Sequence, residues 1–224
     1  MEALYKSLFK TPQRKVIAIG KNYRAHIAEM KYMFGDFVPT DPIVFTKPFT
    51  SAVLPGEPIK LRHDREIHHE IELGVMISKR ANCVSQEAWR DHIGGYFLLL
   101  DLTDRDLQAD FKEKGLPWDL AKGQDYYMPV GDFIAPDTVA DPHDLELELR
   151  INGDTKQKGS TGLMIHRIPN LIEYVSSFMT LNEGDLILTG TPEGVGPIAE
   201  GDKLEGFLRQ DNKDISTFVF NVER

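Results

Sequence analysis

The sequence has very little cysteine, because Cys83 is the single one among 224 residues. One cysteine cannot build an internal disulfide framework or a cysteine-based zinc module. A reducing compartment is therefore the expected setting for this chain. Stability must come from an apolar core, for which 224 residues and 41% hydrophobic content are sufficient.

Positive charge is also scarce, since 26 Lys and Arg stand against 35 Asp and Glu, a net charge of −9. Nucleic-acid binding needs clustered basic side chains, so this balance argues against a nucleic-acid partner. No run of about 18 apolar residues occurs, which argues against a membrane span. The N-terminus lacks the apolar segment of a secretory signal. Its basic residues leave a mitochondrial presequence open beside the favoured cytoplasmic location (Lys6, Lys10, Arg14 and Lys15).

The chain also lacks linkers, repeats and low-complexity segments, which predicts a single domain over residues 1–224. Short apolar runs bounded by Gly, Pro, Asn or Asp predict seven strands: Lys15–Ile19, Ile43–Thr46, His69–Ile77, Tyr96–Leu100, Leu145–Ile151, Leu186–Thr189 and Thr217–Val222. Three helices are predicted, at Gln86–His92 after Ser85, Asp104–Lys114 between Thr103 and Gly115, and Asn170–Phe178 after Pro169. Without regular strand–helix alternation, these elements predict a strand-rich α+β roll or sandwich.

Two acidic residues stand on one face of the alternating segment at residues 66–77, which contains the predicted strand His69–Ile77. The alternation of apolar residues places Glu70 and Glu72 together on the same face, and glutamate is a poor strand former. One interpretation is a solvated edge strand, where charge discourages edge pairing. The other is a site for a hard divalent cation, which prefers carboxylate oxygens.

A third carboxylate follows the continuous apolar run that begins at Gly94. This run predicts a buried central strand, and Asp101 stands at its end, either as a metal ligand or as a turn residue before the next helix. Zinc is the competing metal, held by His68, His69 and Glu70. The HExxH pattern is absent, and adjacent strand residues point to opposite faces, so zinc is the weaker interpretation.

Other polar residues have spacings that suit a site but equally suit an exposed surface. His26 and Glu29 lie three apart, on one side of a short helix, where a carboxylate orients an imidazole. Arg105 and Gln108 follow Asp101 by four and seven residues on one helix face. The glycine-rich segment at residues 190–196 matches no phosphate-binding motif, so it predicts a turn lining a pocket.

These residues, in this order, resemble the fumarylacetoacetate hydrolase family in its short single-domain branch. The resemblance spans about residues 15–222 and is carried by GKNYRAHIAEM (20–30), FTKP (45–48), HHEIELG (68–74), DLTDRDLQ (101–108), GLPWDLAK (115–122) and GDLILTGTPEGVGP (184–197). It implies a mixed β-sandwich roll and a homodimer. It also implies a lid over Tyr23–Asp36.

The resemblance assigns expected roles to individual residues. Glu70, Glu72 and Asp101 would bind Mg²⁺ or Mn²⁺, and His26 with Glu29 would activate water. The expected substrate ligands are Arg105, Gln108, Lys122 and Thr191, with Lys122 in a loop near the reacting carbon. Lys47 matches a family position more weakly and is left out of the predicted set.

The leading hypothesis for function is a metal-dependent hydrolase that cleaves 3-acylpyruvates to pyruvate and a carboxylic acid. The same enolate chemistry would serve an oxaloacetate decarboxylase or an oxaloacetate tautomerase. The His26–Glu29 pair favours hydrolysis, because decarboxylation needs no activated water. A binding module for 2-oxo acids without catalysis is the remaining alternative.

Overall fold

The computed structural model describes residues 14–31, 37–61 and 64–224. Two of the basic N-terminal residues, Lys6 and Lys10, lie outside this range, as do residues 32–36 of the predicted lid. The presequence alternative and the behaviour of the complete lid therefore stay predictions. None of the helices in the described ranges is long and apolar enough to cross a membrane.

Strands dominate the described residues. They are β1 Val16–Gly20, β2 Ile43–Lys47, β3 Ala52–Val53, β4 Ile59–Lys60, β5 Ile67–His69, β6 Ile71–Ile77, β7 Ile93–Leu100, β8 Thr103–Asp104, β9 Met128–Ile134, β10 Glu146–Ile151, β11 Asp154–Ser160, β12 Leu186–Leu188, β13 Gly196–Pro197, β14 Lys203–Gln210 and β15 Lys213–Glu223. The α-helices are α1 Arg24–Glu29, α2 Arg105–Glu113, α3 Asp119–Lys122 and α4 Ile168–Phe178. Short 3₁₀ helices cover Phe49–Ser51, Gln86–His92, Pro136–Thr138 and Thr161–Leu163.

Two large sheets carry the fold. One has the order β2-β1-β12-β6-β7-β9-β3, and the other has the order β11-β10-β14-β15-β4. Both mix parallel and antiparallel pairs, as the parallel β1–β12 and antiparallel β6–β7 pairs illustrate in the first. This arrangement confirms the predicted strand-rich α+β roll.

Strand β7 shows why its sequence is continuously apolar. Leu98 and Leu100 belong to the main core, whereas Leu99 belongs to a second cluster with Val16 and Leu188. The strand lies between β6 and β9, so both of its faces are covered and alternation with polar residues is absent. The predicted buried central strand ending at Asp101 is confirmed.

The strand predicted over His69–Ile77 is divided at Glu70. Strand β5 pairs with β8 and β13 in a small third sheet, whereas β6 lies between β12 and β7 in the large sheet. The alternating apolar pattern spans both strands and therefore conceals the break. Strands β11 and β14 were also missed, because polar and charged residues occupy much of both.

The predicted helices are present with corrected ends. Asp104, rather than Thr103, caps α2, and its carboxylate accepts the Leu107 N–H at 2.9 Å. Gly115 follows α2 with a φ of +67°, as a helix C-terminus favours. The Gln86–His92 segment is a 3₁₀ helix, and Ser85 precedes it without a capping side-chain bond.

We expect Asp185→Ala to lower the free energy of unfolding by about 2–3 kcal/mol, because buried backbone donors lose their acceptor. Asp185 is fully buried and accepts the N–H groups of Lys15 at 2.8 Å and Asn182 at 2.7 Å. Urea denaturation measures the change. Asp137→Ala, at an exposed position, is the control and should stay within about 0.5 kcal/mol of wild type. Equal stabilities of the two variants would contradict the role of Asp185.

Candidate active site

The residues singled out from the sequence converge on one cavity. It lies where the end of β1, helix α1, the start of β6, helices α2 and α3 and the 190–196 turn meet, and it is lined by His26, Glu70, Glu72, Arg105, Gln108, Lys122 and Thr191. Asp101 bonds to Lys122, and Glu29 lies beside His26, so both adjoin the cavity. Distant parts of the sequence thus supply a single site.

The three predicted metal ligands lie together. One oxygen from each of Glu70, Glu72 and Asp101 falls within 4.8 Å of the others, and all three residues are buried. Glu70 occupies the break between β5 and β6, Glu72 stands on β6, and Asp101 follows β7. The backbone N–H of Asp101 donates to the Glu70 carbonyl at 2.8 Å, which fixes these two segments side by side.

The structure contradicts a solvated edge at Glu72 and an N-cap role for Asp101. Strand β6 is central, and Glu72 is 1% exposed, so this is not a solvated edge. Asp101 does not cap α2, since Asp104 does. Among the residues that the structure describes, the three carboxylates are the one group with metal-ligand spacing. His68 contacts Glu66 and His69 contacts Gln157, which gives the zinc interpretation no support.

Three buried cations hold the carboxylates. Lys122 Nζ lies 2.8 Å from Glu70 and 2.7 Å from Asp101, and the Arg105 guanidinium lies 2.5 Å from Glu70. Lys47 Nζ lies 2.6 Å from Asp101, and it also donates to the carbonyl of Lys122. Lys47, omitted from the predicted set, is therefore part of the cluster. The sequence signal that could have identified Lys47 as buried is its position at the end of an apolar strand.

Two carboxylates of the cluster, Glu70 and Glu72, have pKa values shifted in opposite directions. Burial raises the pKa of Glu70, but Lys122 and Arg105 outweigh burial and hold that pKa far below its usual range. Burial raises the pKa of Glu72 well above its usual range, and the charges of Asp101 and Glu70 add to the rise. A buried Glu72 carboxylate therefore needs a proton or a metal ion, and three carboxylates form a donor set that fits a hard divalent cation.

His26 and Glu29, predicted as a general base and the carboxylate that orients it, lie on α1 above the cavity. His26 is buried, so the fully exposed alternative is wrong for it, while Glu29 is exposed at its outer side. His26 Nδ1 lies 3.6 Å from Glu29 Oε2, an ion-pair distance longer than a hydrogen bond. The Glu29 carboxylate accepts the Gly194 N–H at 3.0 Å instead. Although burial raises the pKa of Glu29, His26 and this N–H hold it below its ordinary value.

The predicted substrate ligands are buried rather than exposed. Arg105 donates to Gln108 at 2.8 Å, and both side chains point inward from α2. Lys122 ends the one-turn helix α3, whereas the sequence predicted a loop, because a single turn offers no periodicity. Thr191 lies in the 190–196 turn at the cavity, which agrees with the predicted pocket-lining turn.

Gln157 is the contact that sequence reasoning missed entirely. Its buried amide bonds to Thr191 and to the backbone of Ile71, next to two of the three carboxylates. The residue lies in a polar stretch of sequence, where nothing distinguishes it from its exposed neighbours.

The family model described as fumarylacetoacetate hydrolase C-terminal matches residues 15–217 of the chain. The chain belongs to the fumarylacetoacetate hydrolase family. This confirms the resemblance carried by the sequence motifs, and it places the site within a family of enzymes.

Relatives named as enzymes match over almost their whole length. The mitochondrial oxaloacetate tautomerase FAHD1 of Arabidopsis thaliana is 44% identical over 211 residues, which cover 94% of this chain and 91% of that protein. The mitochondrial oxaloacetate tautomerase FAHD1 of Homo sapiens is 42% identical over 212 residues, covering 94% and 92%. The matched regions leave little of either relative's chain unmatched.

Solved structures agree with the fold. A yeast fumarylacetoacetate hydrolase family protein superposes with a TM-score of 0.84 at 34% identity, covering 94% of this chain and 93% of that chain. The 5-carboxymethyl-2-hydroxymuconate delta-isomerase of Mycobacterium smegmatis gives a TM-score of 0.80 at 41% identity, covering 94% and 78%. Members with isomerase names thus share this fold.

We expect the metal-free protein to lose stability as pH rises above the ordinary glutamate range, because Glu72 has a raised pKa in the folded state. There the folded chain holds a proton that the unfolded chain has released, so the free energy of unfolding falls with pH. Urea denaturation in EDTA between about pH 5 and 8 measures this slope. Mn²⁺ should reverse the loss.

The matched variants for this experiment are Glu72→Gln and Glu200→Gln. The first should flatten the slope, because it removes the buried titrating group. The second, at an exposed position, should keep the wild-type slope. An unchanged slope in Glu72→Gln would show that the pH dependence has another origin.

Proposed function

We propose that the protein is a divalent-metal-dependent tautomerase that interconverts the keto and enol forms of oxaloacetate. The relatives named oxaloacetate tautomerase, at 42–44% identity over nearly the whole chain, support this assignment. A carboxylate trio, three cations and His26 lie in or beside one cavity, which supports it from the structure.

The charge of the cluster is the observation that carries this choice of substrate. Three carboxylates (Glu70, Glu72 and Asp101) are matched by three cations (Lys47, Arg105 and Lys122), so the inner cluster is formally neutral. A bound divalent ion raises its charge to +2. Oxaloacetate is a dianion and restores neutrality in the buried cavity, whereas a 3-acylpyruvate with a neutral acyl group carries one negative charge.

The chain's own residues can carry the proton between carbon and oxygen. Bound Mg²⁺ or Mn²⁺ would act as a Lewis acid that polarises the 2-oxo group of the substrate. His26, which faces the cavity, takes a proton from C3. A second proton passes to the enolate oxygen from the Lys122 ammonium, whose Nζ lies between Glu70 and Asp101. His26 then restores the lysine proton, so no proton is gained or lost overall.

Arg105 and Gln108 would orient the substrate within the cavity. The Arg105 guanidinium is held by both Glu70 and the Gln108 side chain, so it is fixed before a substrate arrives. A preorganised cation beside a buried carboxylate costs little reorganisation during the reaction.

Hydrolysis of 3-acylpyruvates is the second candidate, favoured by the position of His26 and Glu29 over the cavity. It needs a water held between the base and a distal carbonyl. The 3.6 Å separation of the pair leaves His26 without the oriented bond that the sequence predicted. Decarboxylation of oxaloacetate needs no base at all, so a variant that lacks the His26 side chain distinguishes it from the other two reactions.

We expect the Mg²⁺-loaded protein to accelerate the loss of oxaloacetate enol absorbance without releasing pyruvate. His26→Ala should slow this reaction by about 100-fold or more, the usual contribution of a general base. Ultraviolet absorbance follows the enol, and a coupled assay follows pyruvate. Parallel assays with acetylpyruvate test the hydrolase.

The control is His92→Ala, because His92 lies outside the cavity, near the Lys79 carbonyl. It should retain wild-type rates. Pyruvate release from oxaloacetate that survives His26→Ala would identify a decarboxylase. Acetylpyruvate cleavage without oxaloacetate tautomerisation would make hydrolysis the activity, and no turnover of either substrate would leave only the binding-module alternative.

We also propose that the protein is a homodimer. A groove on the outer face of the seven-stranded sheet is lined by apolar side chains that include Phe49, Leu54, Phe97 and Met128. Leu54 is 56% exposed and Phe49 is 39% exposed. Contiguous exposed apolar side chains of this kind mark interaction surfaces, and a second copy of the chain would cover them.

Leu54→Asp should convert the dimer to a monomer, since it places a charge in the apolar contact. Size-exclusion chromatography with light scattering measures the mass. Leu163→Asp, at a 60% exposed position outside this groove, should leave the dimer intact. A monomeric wild-type protein would refute the proposal.

The relatives are named as mitochondrial proteins, so the mitochondrial alternative stands beside the cytoplasmic prediction.

A further inference from the structure

Gln157 occupies an unusual place in the fold. Strand β11 is an exposed polar strand, and Gln157 is its one buried residue, at 1% exposure. A primary amide buried this deeply is costly unless its donors and acceptor lone pairs find partners. The partners of Gln157 therefore show what the burial achieves.

The amide of Gln157 uses its full hydrogen-bonding capacity. Oε1 accepts the Ile71 N–H at 3.0 Å and lies 2.8 Å from His69 Nδ1. Nε2 donates to Thr191 Oγ1 at 2.8 Å and to the Pro192 carbonyl at 2.9 Å. The Ile71 N–H can only donate and the Pro192 carbonyl can only accept, so the orientation of the amide is fixed.

Two of these bonds act on the proposed metal ligands. Ile71 is the residue between Glu70 and Glu72, so the bond to its N–H fixes the backbone from which both carboxylates project. On the other side, Gln157 holds the turn in which the Gly190 N–H donates to Glu72 at 2.7 Å. One side chain thus connects both supports of Glu72.

The same network determines what Thr191 can offer a substrate. Its hydroxyl donates to the Ile71 carbonyl at 2.8 Å and accepts from Gln157. A hydroxyl has one proton, so none is left for a substrate carboxylate. The Thr191 N–H has no acceptor among the described residues, and Thr191 lines the cavity.

We propose that Gln157 is a positioning residue, which holds Thr191 so that its backbone N–H, and not its hydroxyl, binds the substrate carboxylate. This inference rests on the proposed function only in taking the cavity as a site for 2-oxo acids. Gln157 itself touches no substrate. It acts through Thr191 and through the backbone at Ile71.

The test is a double-mutant cycle on ligand affinity. Gln157→Met and Thr191→Val are made singly and together, and calorimetry measures the binding of oxalate to the Mn²⁺-loaded proteins. Oxalate presents the adjacent oxygens of an enolised 2-oxo acid and is not turned over. Because both residues act through one network, each single variant should weaken oxalate binding about tenfold, and the double variant should lose little more.

A second variant guards against misfolding. Gln157→Glu has nearly the same shape, keeps the acceptor for Ile71 and retains at most one of the two donors, so it should fold and weaken oxalate binding in the same direction. Gln210→Met is the matched control, because Gln210 accepts one backbone N–H far from the cavity, that of Ala140. It should bind oxalate as the wild type does.

Two results would overturn the proposal. One is a lowered melting temperature in both Gln157 variants with oxalate affinity within threefold of wild type, as a purely structural role requires. The other is additivity, a loss of about a hundredfold in the double variant, which would make the Thr191 hydroxyl an independent ligand contact. Wild-type protein that binds oxalate but leaves oxaloacetate unchanged would refute the tautomerase assignment while the comparison of variants stands.

Discussion

The burial of three carboxylates at one point is the constraint on which the rest of the site depends. Glu70, Glu72 and Asp101 repel one another in a region that excludes water, and such a cluster survives only if cations are supplied. Lys47 comes from the end of β2 and Lys122 from the short helix α3, both placed by the fold against the same carboxylates. Elements far apart in sequence are therefore tied together by charge as well as by apolar packing.

The same constraint explains why the three carboxylates differ in their hydrogen-bonding partners. Glu70 and Asp101 have ammonium or guanidinium partners at 2.5–2.8 Å. Among the described residues, Glu72 accepts one hydrogen bond, from the Gly190 N–H, and burial raises its pKa. The cluster is balanced as a whole, but Glu72 is bonded to no cation among the described residues, so a metal ion would make its largest difference there.

The sequence predicted what depends on local pattern and failed where tertiary contacts decide. Continuous apolar runs located β7, and motif order located the cavity residues, including His26 and Lys122. The break at Glu70 was hidden because β5 and β6 continue one alternating pattern into different sheets. Lys47 was left out and Gln157 was missed for a common reason: a polar residue is recognised as buried only once its partners are known, and those partners are 34 to 88 positions away.

The 190–196 turn connects the two chemical halves of the site. Its Gly190 N–H bonds to Glu72 on the carboxylate side, and its Gly194 N–H bonds to Glu29 on the side of His26. A side chain at Gly194 would meet the Lys156 carbonyl at 2.2 Å, so the turn lies directly against β11. Because Gln157 of that strand also bonds to Thr191 and Pro192, the spacing between His26 and the carboxylates depends on a polar strand that contributes no side chain to the carboxylate cluster. The precision of the site therefore resides in the part of the sequence with the weakest pattern.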